Sequence, residues 1–352
     1  MTFLRSSFQA PCFLALFLAF LGCRPSPENP ERLSTVPIEE AQELELADWG
    51  LAGDEGLGEL ADLALLPGGG TALLDRLGAV VVIYGPNGGE VTRAGGPGEG
   101  PGELAPQGLS AVVATDSSLL VPDIQLQRIT EFSVDGELLG TEDLGRAAGP
   151  AGGVFGVGWR AHPRGGLVLQ ELAPDGQRVL RFHEGELERL HSFDLPAVEP
   201  NRLLPPTPIW AMDPEGRLLA GRSDRAHLEA LVAESAEARG VPPVAVALPD
   251  QAPVLSGAMG DPEGRFWIQR ATPIGEMGME ALRVGLAEGF GGRVWDILES
   301  DGRPFGTVQL PSDFRPVEFG PRELGSGGEG SYCLYGIVED GVGVRSARRV
   351  CP

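Results

Sequence analysis

The feature that most constrains this chain is a tight turn that returns about every 48 residues. Five stretches share it: LPGGGTALL, ATDSSLLV, HPRGGLVL, DPEGRLLA and DPEGRFWI. Each is a turn followed by an apolar run, the opening of a β-hairpin. Their second residues are Pro67, Thr115, Pro163, Pro214 and Pro262, at spacings of 48, 48, 51 and 48. A second series reads PNGGEV, VDGELL, HEGELE, ESDGRP and EDGVGV, with glycines at Gly88, Gly136, Gly185, Gly302 and Gly341. The interval from Gly185 to Gly302 has room for two repeats and an insertion, with a weak turn near Ala238–Gly240. A sixth turn of the first series fits GSGGEGSYCLYG.

Two hairpin turns per unit mean four strands per unit. Six units predict an all-β chain, a six-bladed β-propeller. One blade cannot bury its own faces, but stacked neighbours can. The 52 glycines and 31 prolines punctuate the strands, and 42% hydrophobic residues supply a sizeable core. The blades are expected at roughly 55–102, 103–148, 149–200, 201–250, 251–312 and 313–352. The last is one strand short. Glu39–Ala47 (EEAQELELA) is expected to supply the missing strand and remove the exposed edge.

The N-terminus reads as an address. Residues 1–22 carry one basic residue, Arg5, then an apolar stretch from Pro11 to Leu21. That stretch is shorter than the ~20 residues a membrane-spanning helix needs, and fits the core of a secretory signal. It ends in Phe20-Leu21-Gly22-Cys23, which resembles a bacterial lipobox with Cys23 as the lipid-attachment residue. RPSPENPERLS follows, a stiff polar tether. The expected organisation is a signal peptide at 1–22, lipidated cysteine and tether at 23–36, and propeller at 37–352. Arg24 after the cysteine, by resemblance to diderm lipoproteins, implies the outer membrane facing the periplasm. A membrane partner through the lipid anchor follows, and a monomer is expected.

The stretch GGPGEGPGEL at 95–104 invites a phosphate-loop reading. Such a loop needs backbone N–H groups aimed at an anion and usually a lysine or arginine. The spacing fits neither glycine fingerprint, and the chain has no lysine. Glu99 and Glu103 would repel phosphate, and Pro97 and Pro101 remove donors. A tight connector between blades is expected. Net charge is −23, so nucleic acid is a poor partner.

GGPGEGPGEL followed by SLLVPDIQLQRITEFSVDGELLG resembles the bacterial six-bladed β-propeller lipoproteins related to NHL and TolB-like repeats. The matching positions are Asp123, Arg128, Ile129, Phe132, Asp135, Gly136 and Glu137. RVWDILESDGRPFGTVQLP resembles the family's later blades. The resemblance implies fold and secretion and little about activity.

For a site, the sequence directs attention to one rim. The longest insertion, residues 273–292, carries Met277, Met279, Leu282, Leu286 and Phe290. Trp159 and Trp210 follow Gly/Pro-rich connections and are candidates for the same rim, with inter-blade packing the alternative; Trp267 and Trp295 are expected in the core. Long loops on one rim often carry recognition, and the channel mouth is the default pocket. Arg128 is expected to plug the channel or pair with Asp123, a structural salt bridge being favoured. His162 is expected at the surface beside a turn. Among the asparagines, Asn201 is placed nearest a channel mouth and Asn87 in a hairpin turn. No histidine has a paired metal spacing and no G-x-S-x-G occurs. No catalytic residue, metal or cofactor is therefore assigned. The leading expectation is a binding module for an unknown protein or peptide. The alternatives are a hydrolase or lyase acting on a small ligand in the channel, and an architectural envelope protein.

Cys12 leaves with the signal and Cys23 is lipidated, which leaves Cys333 and Cys351. The hairpin between them turns near Val342, so the two face each other across the ladder. Non-hydrogen-bonded pairs bring side chains to near disulfide distance. A Cys333–Cys351 disulfide locking the last blade is expected.

Overall fold

A computed structural model describes residues 57–148, 153–173, 176–193, 207–223, 227–231, 244–247, 255–271, 291–322, 332–340 and 343–351, together with two short N-terminal strands. Those two are β1 (Gln42–Glu43) and β2 (Leu46–Ala47). The first sheet holds β3 (Leu60–Leu65), β4 (Thr71–Asp75), β5 (Val80–Tyr84) and β6 (Glu90–Gly95). The second holds β7 (Val113–Ala114), β8 (Ser118–Asp123), β9 (Arg128–Ser133) and β10 (Leu138–Asp143). The third holds β11 (Gly156–Ala161), β12 (Leu167–Ala173), β13 (Gly176–His183) and β14 (Glu186–Phe193). The fourth holds β15 (Pro208–Met212), β16 (Leu218–Arg222), β17 (His227–Leu231) and β18 (Val244–Ala247). The fifth holds β19 (Leu255–Gly260), β20 (Phe266–Ala271), β21 (Gly291–Leu298) and β22 (Pro304–Gln309), with β1 added. The sixth holds β23 (Phe314–Pro321), β24 (Tyr332–Glu339) and β25 (Arg345–Val350), with β2 added.

Each sheet is an up-and-down meander, and the turn chemistry explains why. In the turns at 66–70, 162–166, 213–217 and 261–265 the first residue's N–H donates to the carbonyl of the fifth, while the fourth residue's N–H donates back to the first carbonyl. That fourth residue is a glycine at positive φ, +80° at both Gly216 and Gly264, where an L side chain is strained. Asp213 and Asp261 add a side-chain acceptor. Asp213 Oδ1 accepts from the Arg217 amide at 2.7 Å, and Asp261 Oδ1 from the Glu263 and Arg265 amides at 3.0 and 2.8 Å. Four of the five recurring stretches make this turn; the one at Thr115 is tighter and has no glycine, the Thr115 amide donating to the Ser118 carbonyl at 2.8 Å.

The core lies between sheets. Leu74, Val81 and Ala94 of the first sheet pack with Leu119, Val121 and Phe132 of the second. Ile129 and Leu144 pack with Trp159, Leu169 and Phe182; Val168 and Val179 with Leu218 and Ala220; Ile209 and Leu219 with Phe266 and Ile268; Trp267 and Trp295 with Leu334 and Val350. Tyr335 and Ile337 then pack against Leu63, Leu73 and Tyr84 of the first sheet. The chain of interfaces returns to its start, so the sheets form a closed ring, a β-propeller. Trp159, Trp267, Tyr84 and Tyr335 are fully buried, and large side chains so placed contribute ~2–3 kcal/mol each.

Two expectations need correction. Four strands per unit holds for five sheets; the fifth in chain order has a further strand, because β1 pairs in parallel with β22. The segment Glu39–Ala47 is thus shared, since β2 pairs antiparallel with β25, Leu46 opposite Val350. The second-series turn at the C-terminus closes on Gly343, φ +87°, with the Asp340 amide donating to the Val344 carbonyl, rather than on Gly341. The turns expected near Ala238–Gly240 and in GSGGEGSYCLYG fall largely outside the described residues.

Candidate functional site

The glycine-rich connector joins β6 to β7, and its chemistry is the inverse of a phosphate loop. Its carbonyls surround a cation. Arg128 Nη1 donates to the Glu99 carbonyl at 3.1 Å, and Nη2 to those of Gly100 and Glu103 at 2.8 and 2.5 Å. The amide an anion would need is occupied, since Gly100 N donates to Glu103 Oε2 at 2.7 Å. A Cβ on Gly98 would sit 2.0 Å from that same oxygen. Arg128 therefore neither plugs the channel nor pairs with Asp123. Asp123 instead accepts the Ala105 amide at 2.8 Å and those of Gln125 and Leu126 at 3.0 and 2.9 Å. The guanidinium fork suits several carbonyls at once, and the tight turns of the loop bring them together.

The innermost strands β11, β15, β19 and β23 wall a central cavity of about 500 Å³. Trp210, Met212, Met259 and Phe319 form its apolar wall, and Arg160, Gln170 and Glu318 its polar one. Pro163, Pro214 and Pro262, the prolines of the recurring turn, also line it. It therefore reaches the face of those turns, opposite to the rim that the sequence pointed to. Trp210 is the one expected rim residue found at this site, its Nε1 donating to Gln170 Oε1 at 3.1 Å. Trp159 is not a rim residue. It is 1% exposed and its Nε1 donates to the Gly156 carbonyl at 3.2 Å. Met277, Met279, Leu282, Leu286 and Phe290 lie outside the described residues, as does Asn201. Asn87 caps its hairpin turn by accepting from the Gly89 amide at 3.2 Å.

A buried carboxyl, Asp62, and two charged residues of the cavity wall, Arg160 and Glu318, lie near one another and were missed by sequence reading. They come from β3, β11 and β23, and each is the first paired residue after a break in strand register. A β-bulge re-aims the side chain that follows it. Here the bulges of β11 and β23 place Arg160 and Glu318 on the cavity wall, while the one in β3 leaves Asp62 buried. The signal was present in LADLALL, VGWRAHP and PVEFGP, where one charge interrupts an apolar first strand. Asp62 is buried and its Oδ2 accepts the Val112 amide at 3.1 Å. Burial raises its carboxyl, while Arg160 and Arg315 pull it down. Glu318 Oε1 accepts the Leu65 amide. Burial pushes the Glu318 carboxyl up to about 8; the Leu65 amide and Arg160 oppose the shift and Asp62 adds to it. Arg160 is exposed to the cavity and donates to the Trp159 carbonyl at 2.8 Å.

The turn residues behind this wall are paired. Asp261 is fully buried and its Oδ2 accepts from Arg265 Nε at 2.7 Å, Tyr332 Oη at 2.8 Å and Trp267 Nε1 at 3.1 Å. That carboxylate joins the fifth and sixth sheets, and burial drives the Tyr332 hydroxyl's pKa upward. Asp213 pairs with Arg217. His162 occupies the same turn position and is buried, not at the surface as expected. Its Nδ1 accepts the Arg164 amide at 3.0 Å. Burial, then Arg181 and Arg164, pushes the imidazole down to about 4, so the neutral ring serves as acceptor. Among the described residues no group of three or more His, Cys, Asp and Glu is placed to hold a metal ion. Cys333 and Cys351 form a disulfide with Cα atoms 4.2 Å apart.

No protein-family model matches the chain, and no curated protein matches it. Solved structures are similar in fold. A member of the DUF4221 family from Bacteroides vulgatus is 12% identical over 89% of this chain and 98% of its own, with a TM-score of 0.54. A luciferin-regenerating enzyme is 10% identical over 88% and 95%, at 0.53. Regucalcin from Agrobacterium tumefaciens, a calcium-binding protein, is 15% identical over 88% and 96%, at 0.51. At such identities the likeness is one of fold, and the fold hosts unrelated functions.

Proposed function

We propose that the protein is an exported, lipid-anchored binding protein whose six sheets act as six blades around one ligand site. The observation that carries this reading is the central cavity of about 500 Å³, with an aromatic and methionine wall facing an arginine and a carboxyl. Small-ligand sites are concave, mainly apolar and fitted with a few convergent polar groups. Export rests on the N-terminal sequence. Residues 1–22 serve as signal, Cys23 as the lipid-attachment point, 23–36 as tether and 37–352 as the propeller, held at the periplasmic face of the outer membrane.

A thermal-shift screen of small organic acids, amines, amides and sugars tests the site, because a ligand of the folded state raises the melting temperature. At least one class is expected to stabilise the wild-type chain and not Met212→Trp, which fills the cavity. If no class does so, or if Met212→Trp responds equally, the cavity is not the site. For the anchor, Cys23→Ala is expected to move the protein from the membrane to the soluble fraction; unchanged membrane retention would refute lipidation at Cys23.

One observation favours a catalytic alternative. A carboxyl held protonated near neutral pH is suited to general-acid work, and Glu318 is so placed. Hydrolase or lyase turnover of a cavity ligand, lost in Glu318→Gln with binding retained, would decide for that alternative.

A further inference from the structure

We propose that the cavity selects a small carboxylate with an apolar body, its anionic end gripped jointly by Arg160 and Glu318. The inference rests on the reading of the cavity as the ligand site and names the chemistry it takes. Arg160 is exposed to the cavity and makes one hydrogen bond, to the Trp159 carbonyl. Among the described residues no carboxylate lies within ion-pair distance of it. Most of the five donors of its guanidinium are therefore available, in a fork that matches a carboxylate.

The anions on the wall do not compete for a cation. Asp213 and Asp261 are paired with Arg217 and Arg265. Asp62 is not part of the wall; it is buried, and its Oδ2 accepts the Val112 amide at 3.1 Å. Glu318 uses Oε1 to accept the Leu65 amide, which leaves Oε2 to carry its proton. A protonated carboxyl is a strong donor toward a carboxylate. An amine would meet Arg160 and find no unpaired carboxylate. The remainder of the ligand meets Trp210, Met212, Met259 and Phe319.

The groups facing Glu318 are Asp62 and the Leu65 amide from β3, Arg160 from β11, and Tyr335 from β24 with Arg349 behind it. Burial raises the Tyr335 hydroxyl's pKa, so it stays protonated over the range that matters. Grip on the carboxylate should weaken once Glu318 ionises.

The test uses the purified full-length chain and three probes with one body and different heads: 3-phenylpropionate, 3-phenylpropylamine and 3-phenylpropanol. Affinities are measured by ligand-observed NMR from pH 6 to 10. Phenylpropionate is expected to bind at least about tenfold more tightly than the amine at pH 6–7. Its affinity should fall toward about tenfold per pH unit above pH 8. Arg160→Gln should lose about tenfold or more for the propionate and leave the alcohol unchanged, which also shows that the variant is folded. Glu318→Gln should bind the propionate with no step near pH 8, separating Glu318 from Asp62. Preference for the amine, or a wild-type propionate affinity that does not change through pH 8, overturns the proposal while leaving the cavity as the site. Failure of all three probes to bind overturns the proposal by removing the cavity reading beneath it.

Discussion

Glu318, partly buried, and His162, buried, are titratable groups whose shifts run in opposite directions, and each leaves its own mark on stability. The folded Glu318 carboxyl holds its proton to about pH 8 against an ordinary 4.5. Between those values the folded chain binds more protons than the unfolded one, so stability falls as pH rises. Part of the side chain faces the cavity, which discounts the effect to about 2–4 kcal/mol. Denaturant melts at pH 5 and pH 9 should show this loss in wild type and not in Glu318→Gln. For His162 the sign reverses. Its folded value is about 4 against 6.5, so the unfolded chain binds more protons in that window and stability is lost as pH falls through it. A loss of about 1–2 kcal/mol between pH 6.5 and 4 is expected, and His162→Asn, which keeps a short acceptor, should abolish the slope. If the slope persists in His162→Asn, another group is responsible.

Among the elements, the glycine-rich connector is held by a single side chain, Arg128, through three of its carbonyls. Residue types excluded a phosphate site, since two glutamates and two prolines stand where donors are needed. They did not disclose that the loop wraps Arg128, because carbonyl direction depends on backbone dihedrals that glycine leaves open. Arg128→Lys keeps the charge but loses the fork. A destabilisation of about 1–3 kcal/mol is expected, with faster amide exchange confined to 96–104. Unchanged exchange there would show that the clamp does not hold the loop. The recurring turns were legible, since DPEGR names its turn through Asp, Pro and Gly. The site was not. Asp62, Arg160 and Glu318 each look like ordinary polar positions of a strand until a bulge shifts the alternation.

For the whole molecule, closure is the vulnerable step, and three covalent or hydrogen-bonded devices secure the fifth and sixth sheets. β2 covers β25, β1 reaches the neighbouring β22, and the disulfide ties β24 to the residue after β25. Removing residues 34–48 exposes the edges of two sheets, so a lower melting temperature and a greater tendency to associate are expected; an unchanged melt would show that the N-terminal strands contribute nothing. The disulfide spans 18 residues, a loop whose closure stabilises by about 3 kcal/mol on the chain-entropy account. Reduction should lower the unfolding midpoint accordingly, and thiol counting of the denatured, unreduced protein should find neither Cys333 nor Cys351 free.

By itself the sequence determined the all-β architecture, the 48-residue unit, the sites of most turns and the pairing of Cys333 with Cys351. These rest on local turn chemistry and on register, which counting from a hairpin turn settles. Only the tertiary structure decided that Trp159 is core while Trp210 faces the cavity, that His162 is buried, and that three charges from β3, β11 and β23 meet. Those residues are far apart in sequence, and they come together only when the ring closes and the bulges turn their side chains inward. Local pattern marks each charge as an interruption of an apolar strand, but does not say which of them the closed ring brings together.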